Sequence, residues 1–515
     1  MTWGRAALLA AVVLFFLQLG HRDLWAPDEP YFAEGAREMV VDGHWAVPHV
    51  NGVVTTDKPP LFFWSIAAAS FPAGKVTPWT ARIPSALAAL LTVLLVLRLA
   101  GGPAALVLAT TYLFWDKARS AQIDALLTFL IAVALAAFWA WRSGRAEGRR
   151  AGLLFWAACA LAVLAKGPVG VMLPVGIALA LLIWERDLGS WRRFAPLSGP
   201  LLFLVLCGAW AAWASRGPEY SVLGALREHF VGRAVHGMHH KQPPWYYLGA
   251  LPPGLFPWTG LLPGALVLAW RRRREDAFDR FLFAWLVFIV VFFSISTEKR
   301  NLYVLPAYPA FAILVARLLD AAERGTMARR WVTLPLRITG ALTLLVGVAL
   351  PFVGKRSPVP LPLLPLGIVA AVSGIIVFLA AGRAIRTAAV TAAAAFGVIF
   401  LASVYLVEPG LEPIKSARPF SKELATLTAG SRAEGTPVLA WRLANLPEAF
   451  SYYTDGVYTV EAFDEASLRA HLARPGTPWA AVDLSTLPAD LRAAVDVRAQ
   501  TELSRLHVGL VRPKR

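Results

Sequence analysis

The sequence predicts a polytopic α-helical membrane protein of about 13 transmembrane helices, with interfacial helices in the first outer loop and a small C-terminal α/β soluble domain. Three observations predict it. Of 515 residues, 57% are hydrophobic and only 16% charged, with a mean hydropathy of +0.56, whereas ordinary soluble domains carry roughly 25% charged residues. Apolar runs recur along the chain, most of them close to the about 20 residues that cross a bilayer. Near residue 408 the composition turns abruptly to soluble character.

The apolar windows are 4–20, 79–100, 103–116, 121–141, 151–167, 168–184, 198–215, 248–270, 281–297, 302–319, 335–353, 361–381 and 387–407. The first follows Arg5 as a signal peptide would, but no small-x-small cleavage site follows it, so we expect a retained span. Short cytoplasmic loops collect Lys and Arg. With the N-terminus inside, Arg142, Arg145, Arg149 and Arg150, then Arg186, Arg192 and Arg193, Arg271 to Arg274, Arg324, Arg329 and Arg330, and Arg383 and Arg386 all fall on the inner side. That pattern requires an odd number of spans and sends the C-terminus outward. The net charge of +17 is therefore read as topology and not as a nucleic-acid surface. The 20 Trp and 28 Phe suit the hydrocarbon–headgroup boundary. Cys159 and Cys207 lie inside apolar runs and read as small buried hydrophobes, neither a disulfide nor a metal pair.

Two domains follow: a membrane domain over 1–407, with a first outer loop at 21–78, and an extracytoplasmic α/β domain over 408–515. In the latter, "PVLAW", "VYTVEAF" and "PWAAVDL" read as strands, and "DEASLRAHLAR" and "PADLRAAV" as helices. It carries no phosphate loop, nucleophile elbow or metal spacing, which leaves a structural or acceptor-contacting module.

Polar residues left on the outer side are few. In the first outer loop, "PDEPYFAEGAREMVVDG" predicts a helix capped by Asp28 with Pro30 in its first turn. "PPLFFWSIAAASF" is too short to cross and is expected to lie at the interface. Between them, Lys58 either anchors that interfacial helix or meets a lipid phosphate. Asp124 opens an apolar helix, where a charge needs compensation; it either pairs with Arg119 or faces a wet cavity. Lys166 precedes a Gly-Pro turn and either caps its helix or holds an anion. His229 and Arg233 share a helix face, and Arg233 suits bidentate phosphate contact. His236, His239 and His240 match no strong zinc spacing. "PPWYYLG" is an aromatic belt or a sugar-stacking platform. Glu298, Lys299 and Arg300, with Tyr303 a turn further in, place positive charge on the outer face, which calls for an anionic partner.

Taken in order, "LWAPDEPYFAEGAREM", "NGVVTTDKPPLFFW", "ARIPSAL", "ARSAQIDALLTF", "LAKGPVGVMLP", "EHFVGRA…QPPWYYL" and "FFSISTEKRNLYVLPAYP" resemble the bacterial GT-C glycosyltransferases of the ArnT and protein O-mannosyltransferase-like family. The resemblance runs through about residues 1–320, the later spans and tail matching in arrangement only. It implies a GT-C fold and transfer of a sugar from a polyprenyl (undecaprenyl) phosphate donor to a lipid A, glycan or protein acceptor at the outer face of the inner membrane. By that resemblance Asp28 is the catalytic carboxylate and Asp124 the second one. Lys58, Arg233, Tyr303, Lys299 and Lys166 handle the donor phosphate, and Glu29, His229 and Arg82 line the cavity. It implies no certain cofactor and leaves a divalent metal open. "DEPYFAE" lacks the Thr-Arg pair of the usual "DETRYAE", Asp57 stands where Glu is common, and "EKRNLY" replaces the usual Lys-Leu-Pro-x-Tyr, which leaves the sugar open. The rival readings are a lipid-linked glycan transporter or flippase, whose charges would mark a pathway, and a non-catalytic lipid-binding scaffold.

Overall fold

The structure is a computed structural model that describes residues 3–194, 197–217, 220–222, 224, 241–354, 361–443 and 445–514. Among these, eight helices are long and apolar enough to cross a membrane: Pro78–Ala100, Asp124–Arg142, Gly148–Lys166, Ala277–Ile295, Asn301–Glu323, Arg330–Phe352, Leu363–Ala380 and Ile385–Leu406. Two bent pairs, Leu188–Phe194 with Ser198–Ala214 and Tyr246–Gly254 with Thr259–Arg272, bring the count to as many as ten. Trp3–Phe16 and Val169–Trp184 are apolar but shorter. The window at 103–116 is broken into Gly102–Ala109 and Tyr112–Ala118. Each predicted window thus contains helix, while fewer reach spanning length. The chain divides into two compact units. One comprises Met1–Leu19, Thr56–Phe62 and Arg82–Glu408; the other comprises Gly20–Thr55, Phe63–Ala81 and Pro409–Arg515.

In the first unit, lipid supplies no hydrophobic drive for helix pairing, so close van der Waals packing through small residues must hold the helices. Helices Arg330–Gly354 and Leu363–Ala380 show how. A Cβ on Gly374 would lie 2.5 Å from the Leu344 nitrogen and 2.7 Å from the Gly340 carbonyl oxygen; one on Gly340 would lie 2.6 Å from the Phe378 nitrogen. Gly347 and Gly367 meet backbone in the same way one heptad along. Only glycine lets these backbones approach so closely. Gly374→Val is therefore expected to lower the unfolding temperature in detergent, with an overpacking cost of about 1–3 kcal/mol or more. Gly208→Ala, whose added carbon meets nothing within 4 Å in helix Ser198–Ala214, does not lower it. Elsewhere in this unit Glu185 accepts from Arg142 at 2.7 Å and Arg280 at 2.9 Å, tying three helix ends that the charge pattern assigns to one face.

In the second unit, most of the first outer loop folds together with the C-terminal region. Helix Asp28–Val41 is followed by a hairpin of β1 (His49–Val50) and β2 (Val53–Val54), closed by Asn51 and Gly52, both at positive φ (57° and 73°). The sheet contains β3 (Val438–Trp441), β4 (Thr459–Ala462), β5 (Ala480–Asp483), β6 (Val495–Leu503) and β7 (Leu506–Pro513), in the order β4-β3-β5-β7-β6. β4 and β5 run parallel to β3, and β7 runs antiparallel to β5 and β6. The three predicted strands are β3, β4 and β5; β6 and β7 are additional. β4 is an edge strand, and unpaired edges need cover. Asn51 supplies it: its amide donates to the Thr459 carbonyl (2.8 Å) and accepts the Thr459 N–H (3.0 Å).

Helix Asp28–Val41 buries a charged cluster against this domain. Glu34 holds Arg37 bidentately at 2.8 and 2.9 Å, Arg37 donates to the Tyr458 hydroxyl, and Tyr458 donates to Asp42. Glu38 is fully buried and accepts the Gly52 N–H. Burial first, then the charge of Glu34, pushes the Glu38 carboxyl up to about 8 from an ordinary 4.5. Burial likewise pushes Glu448 up to about 7. Between pH 4.5 and about 8 the folded chain keeps a Glu38 proton that the unfolded chain has released. Stability from this group is whole below pH 4.5 and declines as pH rises to about 8. Glu38→Gln keeps an acceptor for Gly52 and is expected to shallow the fall in unfolding temperature across that window.

Candidate functional site

Asp124, Lys166 and Tyr303 come from three separate elements and meet in the first unit. Asp124 is the first residue of helix Asp124–Arg142, where a carboxylate suits the positive end of the helix dipole. Lys166 is the last residue of helix Gly148–Lys166, where a cation suits the negative end. Gly167, at φ +75°, stops that helix before Pro168 opens the next. The Lys166 ammonium donates to the Asp124 carboxylate and stands 4.9 Å from the centre of the Tyr303 ring, a cation–π distance. Tyr303 lies in the 3-10 segment Asn301–Ala307 and packs against Phe293, ring centres 5.5 Å apart. Asp124 is 4% exposed, so its charge depends on this partner.

Of the two alternatives for Asp124, the pairing with Arg119 is not the one formed: its ion-pair partner is Lys166. The Arg119 guanidinium donates to the carbonyls of Leu14 (3.0 Å) and Leu17 (2.8 Å), at the end of the first helix, where carbonyls lack helical donors. Arg82, expected to line a cavity, is fully buried and donates to the Leu19 carbonyl at 2.9 Å. Arg119 thus completes the end of the first helix, Trp3–Phe16, and Arg82 holds the turn that follows it. Lys58 pairs with the neighbouring Asp57 at 2.5 Å and remains partly exposed. Lys299 is buried and directs its ammonium at the carbonyls of Gln242 (2.9 Å) and Ser296, while the backbones of Glu298 and Lys241 pair in an isolated antiparallel β-bridge, so Lys299 closes its own loop. His229 and Arg233, with His236, His239 and His240, lie outside the described residues. Among the described residues no group of three or more His, Cys, Asp or Glu is arranged to hold a metal ion.

Asp28 and Glu29 belong to the second unit. Asp28 does not cap its helix as expected. Pro27 takes the N-cap position, so Asp28 is the first helical residue, partly exposed, and its charge acts on the helix dipole instead. Glu29, expected to line a cavity, is 3% exposed and accepts from Arg22 at 2.5 Å and from the Trp25 N–H at 3.0 Å. It pins the segment that leads into the helix. Sequence reading missed the partners of that segment in the C-terminal region, Glu412 and Tyr453, because contacts 387 to 429 residues apart leave no local pattern.

Residues 2–216 match the family described as dolichyl-phosphate-mannose-protein mannosyltransferase. The chain is 33% identical over 378 residues to the undecaprenyl phosphate-alpha-4-amino-4-deoxy-L-arabinose arabinosyl transferase of Edwardsiella ictaluri, covering 71% of this chain and 66% of that protein. It is 34% identical over 379 residues to the protein of the same name from Pseudomonas paraeruginosa, covering 70% and 66%. The matched stretch thus spans just under two thirds of these relatives. The crystal structure of ArnT from Cupriavidus metallidurans bound to undecaprenyl phosphate superposes with a TM-score of 0.78 at 22% identity, covering 99% of this chain and 98% of that one. Its apo state gives 0.79, with 99% and 97% covered. The fold is that of the GT-C glycosyltransferases, with a C-terminal α/β region.

Proposed function

This chain belongs to the ArnT-like bacterial GT-C glycosyltransferases, and from that premise we propose that it transfers a sugar from a polyprenyl phosphate donor to an acceptor of the cell envelope, lipid A first among the candidates. It is a multi-pass membrane protein. We place it in the inner membrane, with the N-terminus in the cytoplasm, 1–407 as the membrane domain and 408–515 outside the cytoplasm. The relatives' names specify an undecaprenyl-phosphate-linked aminoarabinose, and the solved relative was crystallised with undecaprenyl phosphate. The observation that carries the reading is the Lys166 ammonium held by Asp124 against Tyr303. An ion pair kept within a mainly apolar bundle is costly unless it has work, and a lysine with three donors suits phosphate oxygens.

In the reaction, an acceptor hydroxyl oxygen bonds to the anomeric carbon as the bond from that carbon to the donor phosphate breaks. Polyprenyl phosphate leaves with the bonding pair. Asp28 takes the hydroxyl proton as general base. Lys58, Lys166, Tyr303 and Arg233 stabilise the charge on the departing phosphate, with Lys299 shaping the loop beside Tyr303. No nucleotide is consumed, in keeping with the lack of a phosphate loop.

Proteoliposomes loaded with a polyprenyl-phosphate-linked aminopentose and lipid A provide the test. Glycosylated lipid A is the expected product. Movement of the lipid-linked sugar across the bilayer with no new glycoside would instead establish the flippase reading.

A further inference from the structure

We propose that Glu412 and Tyr453, on the C-terminal region, are positioning residues for Asp28. The proposal rests on the assignment of Asp28 as the base. Asp28 follows an irregular stretch, residues 22–27, whose placement decides where the carboxylate begins its helix. That stretch is fastened almost atom by atom. Glu412, in helix Glu408–Lys415, uses both carboxylate oxygens on it: one accepts the Asp23 N–H at 2.7 Å, the other the Trp25 indole N–H at 2.9 Å. The Tyr453 hydroxyl accepts the Leu24 N–H at 2.7 Å and donates to the Leu24 carbonyl at 3.2 Å, serving both main-chain groups of one residue. Ser416 and Arg418 hold the Asp23 carboxylate at 2.6 and 2.5 Å. Trp25, gripped by Glu412, passes the constraint on. Its main-chain N–H binds Glu29 and its ring carries the Arg22 guanidinium at 4.3 Å, while Arg22 also binds Glu29, the immediate neighbour of Asp28.

A base must stand within about 2.6–3.2 Å of the proton it takes, and a displacement of about 1 Å costs on the order of 10²-fold in rate. Charged hydrogen bonds such as those of Glu412 resist that displacement more strongly than neutral ones. The C-terminal region thereby acts on the reaction without touching substrate, through the segment that launches the Asp28 helix.

The test measures transfer kinetics for Tyr453→Phe, Glu412→Gln, Glu412→Ala and Asp28→Asn in the full-length protein, with unfolding temperatures alongside. Tyr453→Phe loses one hydroxyl and keeps the ring, so it guards against a variant that fails to fold. The expected result is a kcat lowered about 10- to 100-fold by Tyr453→Phe and Glu412→Ala, with the donor KM unchanged. Glu412→Gln, which retains one carbonyl acceptor, falls between Glu412→Ala and the native chain. Native kcat in Tyr453→Phe and Glu412→Ala, with Asp28→Asn inactive, would overturn the positioning role and leave the base in place. So would a loss of kcat that tracks unfolding temperature and comes with a raised donor KM. An active Asp28→Asn would overturn both.

Discussion

Asp28→Asn is expected to lower kcat for sugar transfer by about 10²- to 10⁴-fold, the range spanned by general bases, while donor binding is retained. Asparagine copies the shape of the carboxylate and can still accept a hydrogen bond, but it cannot carry away the acceptor proton. Asp28 lies in the first turn of its helix, and losing the interaction of its charge with the helix dipole costs about 0.3–1 kcal/mol. The neighbouring Glu29, bound to Arg22 and to the Trp25 N–H, keeps the helix start in place. Kinetics with a fluorescent or radiolabelled donor, set beside equilibrium donor binding, check both halves of this expectation. Native turnover in Asp28→Asn would move the base to another residue.

The second large effect is on stability. Asp124→Asn strands the Lys166 ammonium, whose charge partner in the structure is Asp124. Breaking a buried ion pair by removing one member costs about 3–5 kcal/mol, because the remaining charge is left uncompensated, whereas replacing both members is often close to neutral. Asp124→Asn alone is therefore expected to lower the unfolding temperature in detergent sharply, and the double variant Asp124→Asn/Lys166→Met to recover most of the loss. Both should be poor transferases, since the recovered fold still lacks the cation. Equal unfolding temperatures for the single and double variants would mean that the pair is not held as buried opposite charges.

Hydropathy made most of the membrane architecture legible, since a spanning helix must satisfy its backbone internally and advertise itself as an apolar run. The same local logic found β3, β4 and β5. β6 and β7 escaped because their connection, Ser504–Arg505, takes positive φ at both residues (50° and 79°) without the Gly or Asn that marks such turns. The hairpin at Asn51–Gly52 does carry that mark, in "VNGV" with Val50 paired to Val53, although the sequence reading named no hairpin there. Partners of charges were harder to read. Arg119 lies near Asp124 in sequence, yet the Asp124 partner comes from the end of another helix, 42 residues on. An orphan carbonyl at the end of the first helix attracts Arg119 instead, and the Leu19 carbonyl in the turn after it attracts Arg82. The fastening of residues 22–27 to Glu412 and Tyr453 joins points too far apart in sequence for any periodicity to report.

In the proposed reaction, polyprenyl phosphate is the leaving group. Quantifying, by mass spectrometry, polyprenyl phosphate released against acceptor glycosylated in one reconstituted reaction tests it most directly. One polyprenyl phosphate is expected for each sugar transferred, with both products lowered together in Asp28→Asn. Glycosylation that proceeds from a nucleotide sugar with no polyprenyl phosphate released would contradict it.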